Sequence, residues 1–501
     1  GGLRREGPMY RRWTLSDIEN TLFHLNYRWK LQALALWSGQ PAPFKAYDIY
    51  GSFTEFISLD TLSQINTLDG TVNKTRLRHT LIDHYLQREL LPYETEMRAW
   101  MKGASAHVEG EKIYLHDVIP WCQKRSTYKK RKVLQKETGP LCKFLKPFAL
   151  AYWEILFETL DRDLGFESYL DYVKDKKGLD YAYFYDTLKQ VLAETDGLYF
   201  AAMERWALKS FDTPLSDLTR FDAIHMLGLS PLDRFFPEVS LKELISFFDL
   251  WQIDLTDTPG LNLILGKEDG KSNQAICFVL QVPEESYVVM KPEGGWIDVE
   301  TLWHELGHGL SAVFTSPQLS IIDREMPTSF SLSEGFAFLN QNIALSIPFL
   351  TQYLGIESPV AQELHYYKVL KDMSFFRRYA AKFLAEYEMF SSGDLSDGRI
   401  YADSMARYTG FYYQPESHLL DLAPEFYSLD YILGWIAETI MADHLKGLLG
   451  EDWMFKNEAA KCLKYWWRQG NQYEIPSFLE KNGLVPLHMN SLMKQWRETL
   501  S

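Results

Sequence analysis

Apolar residues recur every three or four positions through most of this chain, the spacing of helices that each bury one face. Residues 16–37 are the clearest case: Leu22, Leu25, Trp29, Ala33 and Leu36 form one stripe, and Ser16 with Glu19 offers a capping box at its start. The same period runs through 143–160, 181–208, 360–390, 429–449 and 453–469, so the expected fold class is mainly α. The texture breaks at 255–300. There Gly260, Gly266 and Gly270 punctuate the chain, and two β-rich runs, 275–282 and 286–290, flank Pro283-Glu284-Glu285 and predict a small hairpin or sheet. No repeat period or low-complexity linker is present.

Composition narrows the picture. The 501 residues are 46% hydrophobic and 24% charged, which excludes disordered and fibrous classes. Lys plus Arg total 52 against 67 Asp plus Glu, and the formal net charge of −15 disfavours nucleic acid and anionic lipid as partners. The one basic cluster, Lys129-Lys130-Arg131-Lys132, lies in a charged helical stretch and reads as a solvated face. Four cysteines without a C-x-x-C pair point to a reducing compartment, and with no apolar segment in Gly1–Gly7 the expected location is cytoplasmic. Those first residues, ahead of an internal Met9, read as a trimmed start. The longest uncharged stretch, 335–356, contains Asn340, Gln341, Asn342 and Pro348 and makes a poor membrane span.

Directly after the β-rich runs the chain reads Asp298-Val-Glu-Thr-Leu-Trp-His304-Glu305-Leu-Gly-His308, an H-E-x-x-H string on a helix expected from about 298 to 312. A spacing of four puts His304 and His308 on one face, where both imidazoles reach one tetrahedral ion. Glu305 is rotated off that pair and suits a general base working on water. A hydrolytic site needs a third protein ligand and an open position. Glu334, 26 residues after His308 and opening the next apolar helix, is the candidate, with Ser331 or Ser333 as its helix cap. Asp323 and Glu325 are the rival acids, and either one instead pairs with Arg324 or orients a ligand histidine. Two histidines and a glutamate favour one Zn2+ over harder ions.

The string from Asp298 to His308 resembles the zinc helix of the M3 metallopeptidases, the thimet oligopeptidase and oligoendopeptidase F group, and Glu334 falls where that family's third ligand is expected. A second stretch, Phe426-Tyr427-Ser-Leu-Asp-Tyr431-Ile-Leu-Gly434, is similar to the family's tyrosine-rich substrate segment. Tyr427 and Tyr431 are in register with two of its tyrosines; a third falls on Leu429, and its upstream histidine falls near Leu420, with His418 two residues earlier. The resemblance covers roughly the second half of the chain. It implies a two-part helical zinc peptidase with a deep channel and a small β-sheet (about 270–292) beside the zinc helix, in which 1–210 forms an N-terminal part lining the channel and 211–501 the catalytic part. It further implies hydrolysis of short peptides, with Glu305 as base, Tyr431 and then Tyr427 as donors to the oxyanion, and His418 as a further substrate contact. Oligomeric state is left open.

Two other readings remain at this stage. A zinc carboxypeptidase resembling the M32 family would use a similar helix, but that group shows H-E-S-Q-S where this chain has Ser331-Leu-Ser-Glu-Gly-Phe336. It would also need a fixed cation for the peptide's terminal carboxylate, for which Arg377, Arg378 and Arg407 are available. The other is a catalytically weak peptide-binding protein on the same scaffold.

Overall fold

Thr14 has extended backbone, and its hydroxyl accepts the Asp17 N–H at 3.1 Å while the Asp17 carboxylate accepts the Thr14 N–H, so the first long helix runs Leu15–Trp37. This is the capping box of the computed structural model, which describes residues 12–45, 48–236 and 241–501. Ser16, the expected cap, already lies inside the first turn. The reading of Gly1–Gly7 and Met9 falls outside the described residues. Ile18, Leu22 and Leu25 are buried as the stripe requires, but Leu36 is 43% exposed. The last turns of the helix instead use Leu34 to pack on Leu280 and Val289 of a sheet far along the chain, and that contact turns Leu36 to solvent.

The other periodic stretches form helices at Tyr128–Glu158, Tyr181–Phe211, Ser358–Ser392, Tyr427–Leu449 and Asn457–Arg468, so the fold is mainly α as expected. Two small sheets accompany them. A hairpin of β1 (Ser105–Val108) and β2 (Glu111–Tyr114) has no counterpart in the sequence expectation. In the second sheet β3 (Leu261–Ile264) runs parallel to β5 (Glu285–Val289), which pairs on its other side antiparallel to β4 (Ile276–Gln281). The largest apolar core takes side chains from Ile82 to Leu500, hence from both sides of residue 210. No helix among the described residues is long and apolar enough to cross a membrane.

Polar contacts tie the early helices to the later ones. Lys177 meets Asp430 at 2.8 Å with both side chains buried, Lys176 meets Glu425 at 2.6 Å, and the Tyr27 hydroxyl donates to Glu285 at 2.6 Å. The basic cluster is only partly a solvated face: Arg131 is fully buried on Asp222 at 2.7 Å, because its helix turns that one position toward the core. Lys129 and Lys130 stay near the surface opposite Glu109 and Glu111.

Glu386 is buried on the helix Ser358–Ser392. One of its oxygens accepts the Ala423 N–H at 3.1 Å and the other has no hydrogen-bond partner among the described residues. Burial raises its carboxyl to about 8. The folded chain therefore holds a proton there that the unfolded chain has released above roughly pH 4.5, and the fold loses stability as pH rises from that value to about 8. Glu386→Gln removes the titration. Its stability relative to the parent, from urea melts at several pH values, is expected to improve steadily over that window; a pH-independent difference would refute the assignment.

Candidate metal centre

The histidine helix spans Trp296–Val313, starting two residues before the expected Asp298. Gly295 enters it at φ 89°, and the Asp298 carboxylate accepts the N–H groups of Glu293 and Gly294 at 3.0 and 2.6 Å, which anchors the loop to the helix start. Glu300 fastens the helix from another side through Lys371 at 2.7 Å. The glutamate helix, Ser331–Ile343, lies against it. A Cβ on Gly307 would stand 2.6 Å from the Ala337 Cα, and one on Gly434 of the tyrosine helix (Tyr427–Leu449) would stand 2.7 Å from the Ser331 carbonyl oxygen. Two glycines thus let backbones close on the glutamate helix from both sides. Gly307→Ala is expected to cost about 1–3 kcal/mol and to weaken metal binding, because backbone must move. Gly309→Ala, whose Cβ meets only side-chain atoms at 3.1 Å and beyond, is the milder control; equal melting temperatures for the two variants would contradict this.

This packing brings the three expected ligands together. Glu334 Oε2 lies 3.2 Å from His304 Nε2 and 3.4 Å from His308 Nε2, and one donor atom from each residue falls within 4.8 Å of the others. The far ring nitrogens are both held: His304 Nδ1 faces the Gln341 Oε1 at 2.7 Å and His308 Nδ1 faces the Ser333 hydroxyl at 2.7 Å. Since Gln341 Oε1 can only accept, His304 donates from Nδ1, and the neutral tautomer turns the Nε2 lone pair toward Glu334. Glu334 Oε2 is buried, and no hydrogen-bond donor among the described residues is aligned on it. Lone pairs converging on one point need a cation between them, and this donor set suits Zn2+.

Without metal, protons serve that need. Burial would lower the His304 imidazole, but the Glu334 carboxylate at hydrogen-bond distance outweighs it and pushes the ring up to about 9. Burial would likewise raise Glu334, and the His308 and His304 imidazoles instead hold it well below the usual carboxylate range. Glu305, one position round the helix, is raised by burial, with the imidazoles pulling the other way, and takes a hydrogen bond from the backbone of Cys277 on β4. The edge of the small sheet therefore reaches the site.

The two tyrosines differ. The Tyr427 hydroxyl donates to the second oxygen of Glu334 at 2.9 Å, so it orients that carboxylate. Tyr431 packs edge-on to Tyr427 and stacks on Tyr379 at 5.0 Å between ring centres, and its hydroxyl has no hydrogen-bond partner among the described residues. Burial, with Glu334 and Glu305 nearby, raises its phenol far above the ordinary range, so it remains a donor at any working pH.

His418 does not join them. It is buried, with its ring nitrogens on the carbonyls of Pro415 and Leu395 at 2.9 and 2.6 Å; no ring nitrogen is left for a substrate. Its motif-like position lies in a short helical turn packed into the core. Leu429 is buried as well. Asp323 pairs with Arg76 rather than Arg324, Glu325 accepts the Val282 N–H at 2.6 Å, and the group of converging donor atoms among the described residues includes Glu334 and neither rival acid. Neither Ser331 nor Ser333 caps the glutamate helix, whose first residue follows Phe330 without a side-chain cap; Ser331 donates to Asp430, and Ser333 holds His308. Gln341, Tyr379 and the supporting role of Ser333 were not anticipated. Gln341 stands seven residues after Glu334, on the same helix face, and that spacing is the signal that would have found it.

No family model matches the chain, and no curated protein matches it. Among solved structures it is similar to one described as PZ peptidase A with inhibitor 2, at a TM-score of 0.63 and 13% identity, covering 96% of this chain and 85% of that one. At that identity the likeness is one of fold, and the chain thus has the helical fold of PZ peptidase A built around its own His304, His308 and Glu334.

Proposed function

We propose that the protein is a zinc-dependent endopeptidase of the M3 kind that hydrolyses short peptides. The observation that carries the reading is the buried, donorless Glu334 Oε2 between two imidazole nitrogens whose far sides are both tied down. His304, His308 and Glu334 would hold a zinc ion, which would supply Lewis acidity toward a water and the scissile carbonyl. Glu305 takes the proton of the attacking water and returns it to the leaving amine; its burial, by raising the carboxyl, brings its basicity toward that of the groups it serves. Tyr431 donates its free hydroxyl to the developing oxyanion, and Tyr427 keeps Glu334 aimed. Tyr431→Phe is expected to lower kcat by about 10-fold or more with little change in KM, as steady-state kinetics would show. The fold shared with PZ peptidase A supports a peptide as the substrate class, and four unpaired cysteines support a reducing, cytoplasmic setting.

The carboxypeptidase reading asked for a spare arginine. Arg377 and Arg407 both pair with Asp196, and Arg378 meets Asp421 at 2.7 Å, so all three are engaged, which favours internal cleavage. The test is to incubate zinc-loaded protein with a mixture of short peptides and identify the products by mass spectrometry. Internal cuts are expected. Trimming of single C-terminal residues would replace the proposal with the carboxypeptidase, and zinc and peptide binding without any cleavage would replace it with the binding protein.

A further inference from the structure

The tyrosine helix is entered through strained backbone. Glu425 (φ 56°, ψ 32°) and Phe426 (φ 53°, ψ 43°) are both left-handed, two residues in succession whose Cβ crowds the following carbonyl, and Tyr427 comes directly after them. Such a conformation persists only where contacts hold it. The helix Tyr169–Lys177 supplies them, although Lys177 stands 248 residues before Glu425. The Tyr169 hydroxyl accepts the Glu425 N–H at 2.6 Å, Lys177 Nζ donates to the Glu425 carbonyl at 2.7 Å, and Lys176, also paired with Asp83, meets the Glu425 carboxylate at 2.6 Å. The Phe426 ring is buried against Tyr181 and Tyr169, with ring centres 4.9 and 6.2 Å away.

Lys177 reaches further than the entry. Its side chain is 3% exposed, its ammonium meets Asp430 Oδ2 at 2.8 Å, and it stands 5.7 Å from the centre of the Tyr427 ring. The other oxygen of Asp430 accepts the Ser331 hydroxyl at 3.3 Å, so this one ammonium ties together the starts of the tyrosine and glutamate helices. Its contacts at 425 and 430 bracket Tyr427 and adjoin Tyr431. If they were lost, the strained pair would relax to negative φ and re-aim the first turn of the helix. Tyr427 would move first and Tyr431, one turn on along the same face, would follow.

We infer that Lys177 is a positioning residue, which holds Tyr427 on Glu334 and fixes where the Tyr431 hydroxyl stands, with Tyr169 securing the strained entry. The part that concerns Tyr431 rests on the peptidase reading; the part that concerns Tyr427 needs only the metal site.

Two probes test this. Lys177→Met is made together with Asp430→Asn, so that no buried carboxylate is left without a counter-charge. Tyr169→Phe removes a single oxygen and serves as the second probe if the first folds poorly. Each is placed in the wild type, in Tyr427→Phe and in Tyr431→Phe. Zinc dissociation constants are measured by competition with a chelator, and kcat and KM on a short peptide that the wild type cuts internally. In the wild type each probe is expected to weaken zinc binding by about 3- to 10-fold, below the 10- to 100-fold for a residue that touches a ligand, and to do so by about 2-fold or less in Tyr427→Phe. Each should also lower kcat by about 3- to 10-fold with KM little changed, and by about 2-fold or less once Tyr431 is Phe. A residue that only stabilises the fold produces the same loss in every background. Equal losses throughout, or a lowered melting temperature with zinc affinity and kcat unchanged, overturn the inference. If the wild type cleaves nothing, the peptidase reading fails, while the zinc measurements with and without Tyr427→Phe still decide the role of Lys177.

Discussion

Replacing Glu305 by Gln is expected to lower peptide turnover by about 10²- to 10⁴-fold while zinc stays bound, the range for loss of a general base. The substitution keeps the shape of the side chain, and its amide oxygen can still accept from the Cys277 backbone. It cannot take a proton from water. His304, His308 and Glu334 are untouched, and their supports, Gln341, Ser333 and Tyr427, contact the ligands rather than Glu305. Metal content by emission spectroscopy should therefore match wild type while kcat falls and KM changes little, the pattern of an interaction made in the transition state. Loss of zinc would make Glu305 structural, and retained turnover would move the base elsewhere.

Glu334→Ala should abolish the stabilisation that zinc gives the wild-type fold. A ligand at 100 times its Kd stabilises by about 2.7 kcal/mol, and removing one of three ligands should weaken binding by more than the roughly 10- to 100-fold that loss of a supporting residue costs. Melting temperature against zinc concentration reads this directly, and an undiminished shift in the variant would remove Glu334 from the metal site. The metal-free variant gives a second reading. With its carboxylate partner gone, burial lowers the His304 imidazole against only Glu305 and Gln341, so it should fall from about 9. In the metal-free parent His304 is raised, so its share of stability is full below pH 6.5 and is lost as pH rises through about 9. The stability gap between metal-free parent and variant should close over that range, as calorimetry at several pH values would show.

Several features followed from local chemistry. The helices at 181–208, 360–390 and 429–449 needed only their 3.6-residue period, and the structure extends or shifts their ends by a few residues. The β-rich runs at 275–282 and 286–290 became β4 and β5, although β3 escaped notice because four residues carry too little period to read. His304 and His308 share a face by helical geometry alone, whatever surrounds them.

Other features depend on what another part of the chain brings. Glu334 reaches the imidazoles because Gly307 and Gly434 admit backbones closer than any side chain allows, which no spacing encodes. His418 stood near the motif position but was drawn into the core by two carbonyls, and Arg131 left the expected solvated face for Asp222. Leu36 lost its place in the stripe to Leu34 because a sheet from residues beyond 260 packs on that side of the first helix. Periodicity and i, i+4 spacing are properties of a short segment, so the chain displays them directly. Burial, counter-ions and the approach of one helix to another are set by long-range packing, whose partners lie hundreds of residues apart and leave no local trace.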